Sequence, residues 1–233
     1  MSKRGEIRER RRRGRSQQRT IAIVAIVAVA AVFTFLLILP SLRPVGSFVK
    51  ITPPARDQAQ GTNLGDPQAP VTVVVFEDFQ CPACMQYSQT IEPQVIASYV
   101  DTGKVYYQFK NWAFIGPESL QAANAAMCAA DQNRFWDYHD ILFANHTAEN
   151  VGDFTDQRLT AFAESLGLDM NAFGACFKDN PHAAEIQQSY AEGQNMGVTG
   201  TPSVFVDGTQ VAPGYIPTYD LLSQAINAAL AGK

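Results

Sequence analysis

Val71-Thr72-Val73-Val74-Val75-Phe76-Glu77-Asp78-Phe79-Gln80-Cys81-Pro82-Ala83-Cys84 decides how the rest of this chain is read. Val71 to Phe76 is β-branched and apolar, which predicts a buried strand. Cys81 follows in the turn that leaves the strand, and Pro82 fits the first helical position, where a missing N–H costs nothing. The free N–H groups and the dipole of a helix N-terminus stabilise an anion, and the thiolate is the reactive form of cysteine. The expectation is an attacking Cys81 of lowered pKa and a more shielded Cys84, one turn further in, that resolves a mixed disulfide. The same spacing also suits half of a zinc site or a structural bridge. Zinc ordinarily takes a second Cys-x-x-Cys or a His/Cys pair at short spacing. The other cysteines, Cys128 and Cys176, are far apart in sequence, and His139, His146 and His182 show no ligand spacing. The redox reading is preferred, with no metal expected.

Downstream, Met85 to about Val100 is helical in character and is broken by Asp101-Thr102-Gly103. Lys104 to Phe109 alternates as a strand does. Strand, helix, strand implies a parallel βαβ unit with a right-handed crossover. From about 117 to 196 the pattern is helical. Leu120, Ala123, Met127 and Ala130 follow helical spacing, and further helices are expected over Phe135–Phe143, Phe154–Leu166, Met170–Phe177 and Ala183–Met196. Trp136, Tyr138 and Phe143 read as core, and Phe79 either as core or as part of an apolar substrate surface. Ser203 to Val206 predicts a strand. Asp207-Gly208 is a two-residue hairpin signal, with Thr209-Gln210-Val211 as the return strand. Tyr219 to Leu230 closes the chain as a helix with Leu222, Ala225, Ile226, Ala229 and Leu230 on one face.

Upstream, residues 1–20 carry nine basic side chains against Glu6 and Glu9. Residues 21–39 then hold no charge. As a helix they span roughly 28 Å, close to the hydrocarbon thickness of a bilayer. A cleaved signal peptide has a shorter apolar region ending at a small-x-small site. Leu39-Pro40-Ser41-Leu42-Arg43 is a poor one, so a retained single-pass anchor is expected. The basic flank then stays in the cytoplasm and the body lies outside the cell membrane. Residues 40–66, with Pro40, Pro44, Pro53, Pro54, Gly61 and Gly65, read as a linker. Residues 67–233 suit one domain. Beyond residue 20 the chain keeps nine basic and 20 acidic residues, a net of −11, which argues against nucleic-acid binding. Cysteines in an external domain fit an oxidising compartment.

The order βαβ, helical insertion, ββα, with Cys81-Pro82-Ala83-Cys84 after the first strand and Thr201-Pro202 before the third, resembles the thioredoxin fold. The chain looks most like the DsbA-like thiol-disulfide oxidoreductases, membrane-anchored type. Three segments carry the resemblance: Glu77 to Cys84, Trp136 to Asn145, and Gly197 to Val206. The fold class expected is α/β: a thioredoxin fold with an inserted helical domain, preceded by one N-terminal transmembrane helix. The resemblance implies that Cys81 and Cys84 are the catalytic pair and that Pro202 follows a cis peptide bond facing them. The backbone of Thr201 would then be open beside Cys81, where a substrate strand can pair by β-augmentation.

Two positions depart from the family. Many members carry a buried glutamate six residues before the first cysteine, where this chain has Val75; Glu77 or Asp78 can substitute, or both can face solvent at the strand end. Between the cysteines, Pro82-Ala83 replaces the Pro-His of strong oxidants, which predicts a milder oxidant. A second, structural disulfide between Cys128 and Cys176 is implied by some relatives. No organic cofactor is implied beyond the redox-active disulfide. The resemblance gives oxidation of cysteine pairs in exported or membrane proteins, with reoxidation by a DsbB-like or VKOR-like membrane partner. A disulfide reductase or isomerase, or a non-catalytic anchored binding module, remains as an alternative.

Overall fold

In the computed structural model, the described residues are 23–35 and 45–233, and they form two separate units. In the first, residues 23–35 form helix α1, whose apolar side chains are exposed. The rest of the expected 21–39 span and all of the basic segment 1–20 lie outside the described residues. Among the described residues no helix is long and apolar enough to cross a membrane.

The second unit begins at Gly46. It is built on a mixed sheet of order β1-β2-β4-β3-β5-β6, comprising β1 (Ala59–Gln60), β2 (Asn63–Leu64), β3 (Val71–Glu77), β4 (Val105–Asn111), β5 (Ser203–Val206) and β6 (Thr209–Val211). β3 and β4 run parallel, with Val73 opposite Tyr107 and Glu77 opposite Asn111. β5 lies antiparallel on the other side of β3, and β6 returns from it through Asp207-Gly208, both in the left-handed region. Helix α2 (Pro82–Thr90) crosses from β3 toward β4, and α9 (Tyr219–Ala231) closes the chain. This is the expected thioredoxin-like βαβ…ββα arrangement.

The expected helix from Met85 to Val100 is three pieces: α2, then α3 (Glu92–Val95), then a π-helical turn, Ile96–Val100. Pro93 explains the break, because it has no N–H to continue α2 and its ring clashes with the preceding turn. The break turns Glu92 inward, where it is 1 % exposed.

The expected linker 40–66 carries structure over its described part. Phe48 packs edge-on against Phe162 at 5.1 Å. The Val49 N–H donates to Asn145 Oδ1 at 2.7 Å, and Asn145 Nδ2 donates back to the Val49 carbonyl at 2.9 Å. β1 and β2 then extend the sheet antiparallel to β4. Proline and glycine punctuation describes this segment's turns, but edge-strand pairing and a few anchoring side chains tie it down.

Between β4 and β5 lies the helical insertion: α4 (Pro117–Ala130), α5 (Phe135–Ala144), α6 (Asp156–Ser165), α7 (Met170–Asp179) and α8 (Ala183–Asn195). α4 is buried along most of its length, and Ala122, Ala123, Ala125, Ala126 and Ala129 let its neighbours approach closely. The Cys128–Cys176 disulfide joins α4 to α7. α8 covers the second face of the sheet, where Phe76, Trp112, Val198 and Phe205 form a small separate core. Its Gly193 lies so close that a Cβ there would stand 2.6 Å from Trp112 Cδ1.

The two sheet faces follow from strand parity. Val71, Val73, Val75 and Glu77 point into the main core, whereas Val74 and Phe76 point into the smaller one. Glu77 is thus carried under α2 by the alternation that buries three valines before it.

Candidate active site

Cys81 ends the turn after β3 and caps α2 from an extended backbone conformation, with Pro82 in the first turn. Its own N–H donates to the Asp78 carbonyl at 3.0 Å, and its carbonyl accepts from the Met85 N–H at 3.0 Å. The side chain is at the edge of burial, 8 % exposed, and its thiol donates to the Thr201 carbonyl at 3.3 Å. The Thr201–Pro202 peptide is cis. Thr201 precedes β5, and β5 pairs with β3, so the sheet itself brings residues 120 positions apart into contact. Cys84, one helical turn on, is completely buried. Pro82 is exposed and Ala83 half-buried, so neither places a charge on the sulfurs.

The two thiols are driven apart electrostatically. The Cys81 pKa falls from 9.0 to about 6. The largest cause is the hydrogen bond from the Cys84 thiol, followed by the neighbouring Thr201 and the free backbone N–H groups of Cys84 and Ala83 at the helix start, all working against partial burial. The helix terminus expected from sequence contributes, but the neighbouring thiol contributes more. Cys84 moves the other way: burial, the bond it gives to Cys81 and the nearby Glu77 carboxyl push its thiol well above the ordinary range. At pH 7 a thiol of pKa about 6 is about nine-tenths thiolate, and one of pKa about 9 is about one-hundredth. Of the two sulfurs, the less buried one is thus the better suited to attack, and burial disfavours ionisation of the other.

Glu77 and Asp78, adjacent in sequence, do different things. Asp78 is buried and fully engaged: Oδ1 accepts from the Gln80 N–H at 2.8 Å, and Oδ2 accepts from Phe114 and Ile115 N–H at 2.8 and 3.1 Å. It pins the loop before the cysteines to the loop after β4. Glu77 is 1 % exposed, and no hydrogen bond closes on either of its carboxylate oxygens. Burial, and then the Glu92 carboxylate, hold its carboxyl well above the usual range, although the Cys84 thiol beside it pulls the other way. The reading in which both acids face solvent is thus overturned for both. Val75 is core.

Three residues at this site carried no assignment from sequence. Gln80 ties the cysteine loop to the insertion, donating to Ser119 Oγ at 2.9 Å and accepting from the Asn150 N–H at 2.6 Å. Glu92 and His139, both buried, stand with Glu77 so that carboxylate and imidazole atoms lie within 4.8 Å of one another. Each has polar or charged residues close by in sequence, so no local pattern marked it for burial. Phe79 does not line a surface; it is buried against Phe109, Phe143 and His139. Another cluster gathers Asp131, Cys176 and His182, but Cys176 is committed to its disulfide and offers no thiolate. Burial lowers the His182 pKa, and the hydrogen bonds and charges of Asp131 and Glu185 outweigh it to leave the pKa raised.

A dithiol with one low and one high pKa, beside a backbone carbonyl that a guest strand could share, is suited to thiol-disulfide exchange. Comparison with known proteins agrees. Residues 57–228 match the family described as Thioredoxin. The chain is 32 % identical over 176 residues to the "Probable disulfide bond formation protein D" of Bacillus anthracis, covering 72 % of this chain and 77 % of that protein. Among solved structures, oxidised BdbD from Bacillus subtilis superposes with a TM-score of 0.68 at 27 % identity, over 74 % of this chain and 94 % of that one. Wolbachia pipientis alpha-DsbA1 shares the fold, with a TM-score of 0.65 at 22 % identity, over 73 % of this chain and 91 % of that one.

Proposed function

From the premise that this chain belongs to the thioredoxin family, as a DsbA-like protein thiol-disulfide oxidoreductase, we propose that it is an extracytoplasmic oxidase, delivering the Cys81–Cys84 disulfide to cysteine pairs of exported proteins. The observation that carries the reading is the asymmetry of the pair: a lowered Cys81 pKa beside a buried Cys84 and a buried Glu77 whose carboxyl is held well above its usual range. A stabilised Cys81 thiolate favours the reduced form of the pair, which makes its disulfide oxidising. With a pKa near 6 and Ala83 between the cysteines, the oxidant is a mild one.

A substrate thiolate attacks Cys81 Sγ. The bond between the two enzyme sulfurs breaks, Cys84 leaves as a thiolate, and it takes the proton from the Glu77 carboxyl. The second substrate thiolate then attacks the substrate sulfur of the mixed disulfide. The substrate disulfide forms, Cys81 leaves as a thiolate, and two electrons have passed to the enzyme. The Thr201 backbone positions the incoming strand. A membrane partner of the DsbB or VKOR class takes the electrons onward and restores the disulfide.

Two further features support the location. The basic residues 1–20 followed by the uncharged 21–39 have the pattern of a single-pass anchor with a cytoplasmic N-terminus. The Cys128–Cys176 disulfide suits an oxidising compartment.

The deciding experiment has two arms in intact cells. Cys84→Ala should accumulate mixed disulfides through Cys81; the absence of trapped partners, with unchanged folding of disulfide-containing exports, would refute an exchange enzyme. Alkylation of the wild-type pair should find it mostly oxidised. A mostly reduced steady state would assign the chain to reduction or isomerisation instead.

A further inference from the structure

The exchange chemistry just proposed leaves one need unmet. Each turnover moves a proton between Cys84 and Glu77, at a place with no exposure to water, so Glu77 must be recharged from somewhere. Two buried carboxyls that stand within 4.8 Å of each other do not both ionise readily, so a proton lost from Glu77 raises the demand for one at Glu92. Glu92 Oε1 accepts from the Tyr107 hydroxyl at 2.9 Å, and its Oε2 faces His139 Nε2 at 3.7 Å. That ring nitrogen is buried and has no hydrogen-bond partner. The opposite nitrogen, Nδ1, lies 3.0 Å from Asp140 Oδ1. Asp140 is one-fifth exposed and is held by two bonds from the Arg56 guanidinium, at 2.8 and 3.2 Å.

We infer that Glu92, His139 and Asp140 form a proton relay connecting Glu77 beneath the dithiol to solvent on the side of the domain where Arg56 lies. The inference rests on the exchange reading above and deepens it. An imidazole is suited to this work because it takes a proton at one nitrogen and gives one up at the other. The setting leaves few substitutes. The rings of Phe79, Phe109, Phe135, Trp136 and Phe143 surround His139 with centroids 4.9 to 6.2 Å away. These apolar faces disfavour a chain of waters. The other titratable groups facing the cluster are Tyr87 of α2 and Tyr107 of β4, and burial raises both phenols, so they act as hydrogen-bond donors and not as ions. At the outer end, burial works against ionisation of Asp140, but the His139 hydrogen bond and Arg56 outweigh it, so its carboxylate stays charged and accepts the proton transiently. The 3.7 Å gap is longer than a hydrogen bond and closes by rotation of the Glu92 carboxylate, as proton-transfer contacts commonly do only during the reaction.

When a substrate thiolate attacks Cys81, Cys84 gains the Glu77 proton, His139 gives a proton to the Glu92 carboxylate, Glu92 hands it on to Glu77, and His139 is replenished through Asp140 from water. Reoxidation runs the sequence backward and releases the proton. These three residues position and transfer protons without touching substrate.

The test uses the full chain with three variants: His139→Phe, which keeps an aromatic ring in the aromatic cage, Asp140→Asn and Glu92→Gln. The oxidised proteins are reduced by a dithiol peptide, with rates followed against pH in water and in heavy water. The Cys81 thiolate is titrated by its ultraviolet absorbance in each. His139→Phe should leave the Cys81 titration in place and slow reduction on the order of tenfold or more, increasingly so as pH rises, with a larger solvent isotope effect. Asp140→Asn should give a smaller loss of the same pH dependence. If a folded His139→Phe keeps wild-type rates and isotope effect, the relay is refuted. If His139→Phe does not fold, wild-type behaviour of both Asp140→Asn and Glu92→Gln refutes it. Stoichiometric zinc lost from the purified chain on substituting Glu92 or His139 would also overturn it. Failure of the wild-type disulfide to react with the peptide at all would instead refute the exchange reading.

Discussion

Replacing Glu77 by leucine should make the reduced protein more stable and slower at once. The Glu77 carboxyl is buried, and neither oxygen is hydrogen-bonded. A polar group left in that condition costs about 1–3 kcal/mol, and leucine of similar size removes it. Near neutral pH the variant should gain about that much. For a domain of this size, 1 kcal/mol moves the Tm by about 2–4 °C, so a gain of about 2 kcal/mol appears as about 4–8 °C. The pH dependence makes the argument specific. In the unfolded chain Glu77 titrates near its ordinary 4.5, and in the folded protein burial and then Glu92 raise it well above that value. Below 4.5 both states hold the proton and its effect on stability is constant. As pH rises past 4.5, the unfolded chain releases a proton that the folded one retains, so wild-type stability falls until the folded pKa is passed. Leucine removes that slope, so the two stability curves should diverge with increasing pH. Denaturant unfolding of both reduced proteins across a pH series measures this directly. Glu77→Gln is the control: its amide remains buried and unpaired, so it should flatten the slope without the full gain. Both substitutions should slow reduction of the disulfide, because the leaving Cys84 loses its proton donor. A leucine variant less stable than wild type above pH 4.5, or one with an unchanged slope, would refute the account of Glu77 as an uncompensated buried acid.

Titrating the reduced protein by thiolate absorbance should show one cysteine with a midpoint near 6, lost in Cys81→Ser, and a second that stays protonated through neutral pH. Because this thiolate exists only in the reduced form, the disulfide should become more oxidising relative to an unperturbed thiol as pH rises above about 6, which equilibration with glutathione at several pH values will show. The paired substitution Cys128→Ala, Cys176→Ala opens a link across a sequence separation of 48 and should destabilise the chain by about 4 kcal/mol on the loop-entropy account, while leaving the Cys81 midpoint in place. Gly193→Ala puts a Cβ 2.6 Å from Trp112 and should cost about 1–3 kcal/mol with altered tryptophan fluorescence; a neutral effect would mean that α8 shifts freely from the sheet.

Much of this molecule is local and therefore written in the order of its residues. Val71 to Phe76 is a strand because its β-branched side chains suit a pleated surface buried on both sides, and Asp207-Gly208 is a hairpin turn because both residues tolerate positive φ. Pro82 starts a helix at the sulfur. Strand parity even carried the information that Glu77 shares a side with Val75. The single helix expected from Met85 to Val100 failed at Pro93, a signal that was present and was outweighed by the helical periodicity around it. The linker failed for a different reason: whether a proline-rich stretch is tethered depends on partners such as Asn145 and Phe162, which lie about a hundred residues away.

Cys81-Pro82-Ala83-Cys84, with the strand before it, thus pointed by itself to an exchangeable dithiol, and the order of strands and helices along the chain pointed to the fold, because both follow from short-range geometry and the chemistry of two thiols. What the dithiol sits upon was decided only in three dimensions. Glu77, Glu92 and His139 span 62 positions in sequence and meet because β3, the break before Pro93 and α5 converge under α2. Whether a carboxyl there is a charged surface group or a neutral proton donor depends on what covers it. Desolvation is a property of all the atoms around a group, and no run of neighbouring residues specifies it.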